Sequence, residues 1–295
     1  MSAAQKKVIP VTDLQSQLRG TFAASIDVVD GSRHQGSVQS ARTIVAAEGL
    51  EMAELLSWKL DREANHVCQI DAGSLQNELN TSALMMRSPG AFMDSPIETI
   101  LGPAAIVTAT KRSFTKLSLR FHKGSEKGVT LDKLRDLLTK QGRSDSLISD
   151  AVLVADEMFT NAIFNAPYVD LKSGFNPGID RNDWSVEMTL GRHAELLVGY
   201  DESRLVIACR DPFGSLDIRQ MLTRIRDCCT KGVSANMRMG VGGAGIGTFM
   251  VLNASSSLYV GVQPGKCSVI AAAIHWKWGT KKRSQTPKNL HCIQF

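Results

Sequence analysis

No apolar run in this chain approaches the roughly 20 residues needed to cross a bilayer as a helix. The most apolar stretch, Cys267 to Trp276, is about half that length and reads as a buried strand. The N-terminus, Met1-Ser2-Ala3-Ala4-Gln5-Lys6-Lys7, lacks the apolar core of a signal peptide. A cytoplasmic protein with no membrane partner is therefore expected. Cysteine is sparse, and the spacing of Cys68, Cys209, Cys228, Cys229, Cys267 and Cys292 makes no zinc pattern, so reduced thiols are expected. Strong charge of one sign is lacking too. The formal net charge of +5 is mild for 295 residues, and part of it sits in Lys277, Lys281, Lys282, Arg283 and Lys288. No direct nucleic-acid partner is expected on that basis. A hydrophobic content of 43% and a charged content of 21% exclude wholesale disorder and fit one large or two ordinary domains.

The first 112 residues predict a small α/β unit with no recognisable chemistry. Thr21–Val29, Ala41–Ala47, Val67–Ile70 and Ile106–Thr110 read as strands. Leu50–Arg62, with Met52, Leu55, Leu56 and Leu60 on one face, reads as a helix, and so does Leu75–Met86. From residue 113 to 278 the expected order is strand, helix, helix, strands, helix, helix, hairpin. Leu117–His122 opens it, and a helix follows with Thr130 as N-cap. A longer helix spans Ser144 to about Ala166 and stops at Pro167. Trp184–Leu190, Glu195–Tyr200 and Arg204–Arg210 read as strands, Ile218–Thr230 as a helix, and Leu258–Val262 with Cys267–His275 as the closing hairpin. The fold class expected is α/β, a two-layer sandwich with a mixed, mostly antiparallel sheet and helices on one face. Residues 279–295 read as a basic, flexible tail.

Three short segments carry chemical content. In the first, Glu157, Asn161 and Asn165 are spaced i, i+4, i+8 and line one stripe of a helix. A carboxylate and two carboxamides aimed together suit a hydrated Mg²⁺ bridging phosphates, because magnesium prefers oxygen ligands and keeps waters. The same spacing also describes a solvated polar stripe. In the second, the alternating Leu205, Ile207 and Cys209 deliver Asp211 to a strand end, where α/β sheets present binding residues. A lone carboxylate there could accept from an exocyclic amine, or could simply be a turn aspartate before Pro212. In the third, the glycines at 240, 242, 243, 245 and 247 open a helix. Missing side chains let backbone approach a ligand, and the helix start offers free N–H groups to phosphate. A flexible hinge is the alternative.

Two look-alikes fail. Gly261-Val262-Gln263-Pro264-Gly265-Lys266-Cys267-Ser268 is a residue short for a Walker loop and lies between strands. Gly240–Gly245 fits a dinucleotide fingerprint loosely, but no βαβ unit with a downstream acid follows.

In this order, residues from about 115 to 276 resemble the GHKL ATPase superfamily, and within it the bacterial anti-sigma-factor serine kinases. The resemblance implies a Bergerat-type sheet, ATP and Mg²⁺ as cofactors, and roles for individual residues. Glu157 corresponds to the general base and Asn161 to the magnesium ligand. Asn165 corresponds to a polar position near the phosphates, and Asp211 to the adenine-reading aspartate. Gly243, Gly245 and Gly247 correspond to the phosphate-loop glycines, with Ile246 between them. Gly214 belongs to the second box, and Ser268 stands where the family has threonine. That box departs from the family pattern Asp-x-Gly-x-Gly, because Phe213 and Ser215 occupy the glycine positions and Gly214 is out of phase. Phe213 would narrow the pocket or stack on the base. No phosphoacceptor-histidine helix pair precedes Leu117, so a self-phosphorylating histidine kinase is not expected. The resemblance implies a regulatory partner protein, a sigma factor or a small antagonist, and a homodimer. The function expected is phosphate transfer from Mg·ATP to a partner, the alternative being a non-catalytic regulatory module of the same fold.

Overall fold

The structure, a computed structural model, describes residues 27–30, 43–69, 75–102, 114–168, 183–189, 191–232 and 246–295. The strands are β1 (Asp27–Asp30), β2 (Thr43–Ala47), β3 (His66–Gln69), β4 (Thr115–Phe121), β5 (Ala194–Tyr200), β6 (Arg204–Asp211), β7 (Ser257–Gln263), β8 (Cys267–His275) and β9 (Asn289–Gln294). They form one mixed sheet in the order β1-β2-β3-β9-β7-β8-β6-β5-β4. The half from β7 to β4 is antiparallel throughout, β1, β2 and β3 run parallel, and β9 pairs parallel with β7 and antiparallel with β3.

The helices are α1 (Met52–Leu60), α2 (Leu75–Arg87), α3 (Pro89–Asp94), α4 (Pro96–Leu101), α5 (Lys127–Lys140), α6 (Asp145–Thr160), α7 (Ile218–Lys231), α8 (Ile246–Ala254) and α9 (Thr280–Gln285). Strand alternation decides where they pack. Leu196, Val198, Leu205, Ile207, Val260 and Ile274 face one side and form the main core with α1 and α5 to α8. Leu197, Val206, Ala208, Tyr259 and Ala271 face the other side and are covered by Met85, Phe92, Met93, Ile97 and Ile100 of α2, α3 and α4. The α/β sandwich with a mixed sheet is as expected, and the helices of residues 113–278 do lie on one face. The opposite face is roofed by helices from the first 112 residues. The central strands are apolar on both sides, which leaves both faces to be covered.

Several local expectations change. The helix expected to start at Thr130 begins at Lys127, continuing a 3-10 turn over Gly124–Glu126 that the Glu126 carboxylate closes by accepting from the backbone N–H of His122 at 2.7 Å and of Lys123 at 2.9 Å. Trp184–Leu190 makes only the isolated bridge Lys123↔Glu187 among its described residues, not a strand. The expected strand Ile106–Thr110 lies outside the described residues. The expected flexible tail is instead α9 and β9, and Asn289 to Ile293 are buried between β3 and β7. Its basic composition misleads because Arg283 and Lys288 point inward. Arg283 donates to Asp150, and Lys288 Nζ donates to the carbonyls of Asn253, Ser255 and Arg283. No described helix is long and apolar enough to cross a membrane.

Candidate functional site

Helix α6 is set by Ser144, whose hydroxyl accepts the N–H of Leu147 at its N-cap, and by the stripe Ala151, Val154, Ala155 and Met158 buried on the sheet. At Thr160 the α-helical pattern yields to a π turn over Asn161–Asn165, closed by the Ala166 N–H donating to the Asn161 carbonyl. Such one-turn bulges recur at functional sites because they re-aim side chains. Here Asn165 Nδ2 donates to Asn161 Oδ1 at 2.7 Å, so two of the expected site residues form a pair. Asn161 Oδ1 keeps a second lone pair, enough for one oxygen ligand to a largely hydrated Mg²⁺.

Glu157 lies one turn earlier and meets the start of α8. A Cβ added at Gly247 would overlap its carboxylate and come within 2.6 Å even of the farther Oε1. A side chain at 247 would push the Glu157 carboxylate, the end of a flexible side chain, off the start of α8. The carboxylate rests on the first turn of α8, where backbone N–H groups have no intrahelical partner. Ile246 is the first residue of that helix. Gly243 and Gly245 lie outside the described residues.

Asp211 ends β6, opposite Ser268 of β8 in register. Its Oδ1 accepts the N–H of Phe213 at 3.0 Å and of Gly214 at 3.4 Å, and neither of those N–H groups takes Oδ2. Burial pushes the carboxyl up to about 6, against the opposing pull of those two N–H groups and of the Ser268 hydroxyl. That hydroxyl is buried and makes no hydrogen bond of normal geometry. The turn after Asp211 is tied to the end of the first-box helix, since Ser215 Oγ donates to the Ala166 carbonyl at 2.7 Å. So the structure joins Glu157 to Gly247 and Asn161 to Asn165, and links the Asp211 turn to the segment after Asn165.

Two second-box residues, Phe213 and Gly214, pack within the chain itself. Phe213 packs into the main core, 9% exposed, under the guanidinium of Arg192 at 5.0 Å. Gly214 has φ +61°, and an added Cβ would overlap the Gln263 carbonyl and come within 2.7 Å of Lys266 N. Its missing side chain makes room for the β7–β8 turn.

A cleft of about 380 Å³ runs along the outer side of α6 and is lined by Arg135, Val152, Leu153, Asp156, Glu157 and Met250. Its lining includes Glu157 and none of Asn161, Asn165 or Asp211. No cluster of three or more His, Cys, Asp or Glu side chains occurs among the described residues. Magnesium carried by a nucleotide needs none, because phosphate and water fill most of its shell.

Two clusters escape sequence reasoning. Lys127 pairs with Asp156, lies 3.3 Å from Thr160 Oγ1, and sits 5.1 Å over the Trp184 ring. Asp156 and Thr160 precede Glu157 and Asn161 by one position each, so their i, i+4 relation was the available signal. The second cluster is a buried polar network. Glu78 accepts from Tyr259 Oη at 2.6 Å and Ser257 Oγ at 2.9 Å, pairs with His291 Nε2 at 3.0 Å, and faces Arg204 at 3.5 Å. Burial works against its charge. The bonds and charge of His291, the charge of Arg204 and the Tyr259 bond overcome it and hold the carboxyl at about 2. These partners come from α2, β6, β7 and β9, so no local spacing reveals them.

No protein-family model matches the sequence, and no curated protein matches it. Among solved structures the chain is similar to a chain of the SiaB–SiaC complex from Pseudomonas aeruginosa, with 18% identity and a TM-score of 0.37. That similarity covers 59% of this chain and 98% of the other. A likeness of this size says nothing about activity.

Proposed function

We propose that this protein is an ATP-binding regulator of GHKL type that transfers phosphate from Mg·ATP to a partner protein. The observation that carries the reading is the meeting of the first and third boxes: the Glu157 carboxylate lies against Gly247 at the opening turn of α8. Asp211, a half-buried carboxyl at a strand end that burial pushes up to about 6, supports it. In this reading Asp211 accepts the exocyclic amine of adenine, and Ser268 stands beside it. The start of α8, with Gly243, Gly245, Ile246 and Gly247, takes the phosphates. Asn161 supplies an oxygen to Mg²⁺, and Asn165 orients that carboxamide through the bond between them. Bound Mg·ATP supplies the phosphoryl group. Glu157 accepts the proton of the partner's attacking hydroxyl. A sigma factor or its antagonist is the partner class that the sequence likeness implies, and a homodimer is part of the same proposal.

The alternative, a non-catalytic module of the same fold, is favoured by one observation. Gly214 is filled by the chain's own hairpin rather than left open for a base. Equilibrium binding of labelled ATP with Mg²⁺ separates the readings. The unsubstituted protein is expected to bind, with Asn161→Ala and Asp211→Asn much weaker. No binding by the unsubstituted protein would overturn the nucleotide reading. Binding without transfer to any partner would select the module.

A further inference from the structure

A second surface, remote in sequence from the three boxes, is built around α9. Trp278, Lys281, Lys282, Gln285, Thr286 and Pro287 enclose an open cleft of about 620 Å³. Lys282 Nζ lies 4.4 Å over the Trp278 ring, whose other contact is the His275 ring at 3.8 Å. Lys277, Lys281 and Lys282 are exposed and have no carboxylate within ion-pair distance among the described residues. Several cations elsewhere, among them Lys123, Lys127, Arg135, Arg210, Arg226 and Lys231, pair with an acid.

The platform is also rigidly mounted. A six-residue helix is too short to persist by itself. Arg283, 3% exposed, pins it from beneath through Asp150 and through Ser146 Oγ at 3.0 Å. Lys288, also 3% exposed, ties its end to the end of α8 through the Arg283, Asn253 and Ser255 carbonyls. Two buried cations fix the helix, and Lys281 and Lys282 face solvent beside an aromatic floor.

We infer that this cleft docks an acidic segment of a partner protein, with carboxylates on the Lys281 and Lys282 rim and an apolar side chain on Trp278 and Pro287. The compact cleft, with its cations gathered on one short helix, favours a peptide over nucleic acid, whose phosphates call for an extended basic stripe. The inference stands whether or not the chain binds nucleotide.

The test uses full-length protein without ATP. A labelled short peptide of Asp and Glu around a central Leu pair is titrated by fluorescence anisotropy. The counter-probes are the same peptide with Asn and Gln, and a single-stranded oligonucleotide of equal charge. The acidic peptide is expected to bind about tenfold or more tighter than its amide counterpart, and more weakly as salt rises. Lys281→Glu with Lys282→Glu should cost about tenfold or more in affinity with an unchanged thermal midpoint. The charge-matched pair Lys116→Glu with Lys133→Glu, exposed and in other elements, should leave binding intact. Equal binding of the amide peptide, equal loss in the two double variants, or tighter binding of the oligonucleotide would each overturn the proposal.

Discussion

Replacing Asp211 by asparagine should make this protein more stable and less able to bind ATP. Burial raises the Asp211 carboxyl from its ordinary value to about 6. A carboxyl raised in the folded state binds protons more readily there than in the unfolded chain. Stability is therefore lost as pH rises from about 4 to 6, and the penalty persists above that range. A rise of this size corresponds to roughly 3 kcal/mol at pH 7. Asparagine keeps an oxygen to accept the Phe213 and Gly214 N–H groups, and the value of about 6 already includes what those bonds do for the charged form. The net gain expected is about 2–3 kcal/mol at pH 7, or several degrees in thermal midpoint.

Thermal unfolding of both proteins between pH 4 and pH 8 measures this. The gap should be near zero at pH 4, open through pH 6 and then stay constant. The same variant should lose most of its affinity for ATP, since a carboxamide can present its NH₂ to the adenine amine. A residue retained at a cost in stability is what a ligand-reading role requires. If the variant is less stable than the parent at pH 7, or if the gap ignores pH, the buried-charge argument is wrong. If ATP affinity is unchanged, the role of Asp211 in reading adenine is wrong.

Gly247→Ala should push the Glu157 carboxylate off the start of α8, changing denaturant unfolding by no more than about 1 kcal/mol while lowering ATP affinity. Gly214→Ala combines a left-handed backbone with overlap on the β7–β8 turn and should cost about 2–4 kcal/mol by the same assay. Glu78→Gln leaves Arg204 buried opposite an uncharged group and should cost about 3–5 kcal/mol at neutral pH. Because the folded-state value of Glu78 is depressed to about 2, its contribution is full above about pH 5 and fades as pH falls toward 2, so the gap to the variant should close on acidification. Removal of residues 288–295 deletes the strand between β3 and β7, and circular dichroism should show loss of the folded state rather than trimming of a tail.

The elements that hold the candidate site residues were legible because each announces itself over a short span. A 3.6-residue apolar stripe with Ser144 before it marks α6, alternation of Leu205, Ile207 and Cys209 marks β6, and a glycine cluster marks the opening of α8. What the sequence hid is long-range. Phe213 looked like an obstruction because a glycine pattern was broken. Whether its ring points at a ligand or into the core depends on Arg192 and the strands around it, which no window includes. Gly214 looked like part of a binding loop, and only the hairpin from Gln263 to Cys267 explains its missing side chain.

The same reasoning explains why residues 279–295 were misread and why that matters for function. Lys281 and Lys282 are solvated, as composition suggests, but Arg283 and Lys288 reach inward to Asp150 and to three carbonyls. An average over the segment cannot separate the two kinds of cation. Glu78 of α2 is bound by residues of β6, β7 and β9, so α2 shares one buried network with the sheet that delivers Asp211. Glu78 faces Arg204 at the start of β6, and Asp211 ends the same strand. Glu78 and Asp211 are thus joined through one strand, β6. Full-length protein, not residues 113–278 alone, is the object on which ATP binding has to be measured.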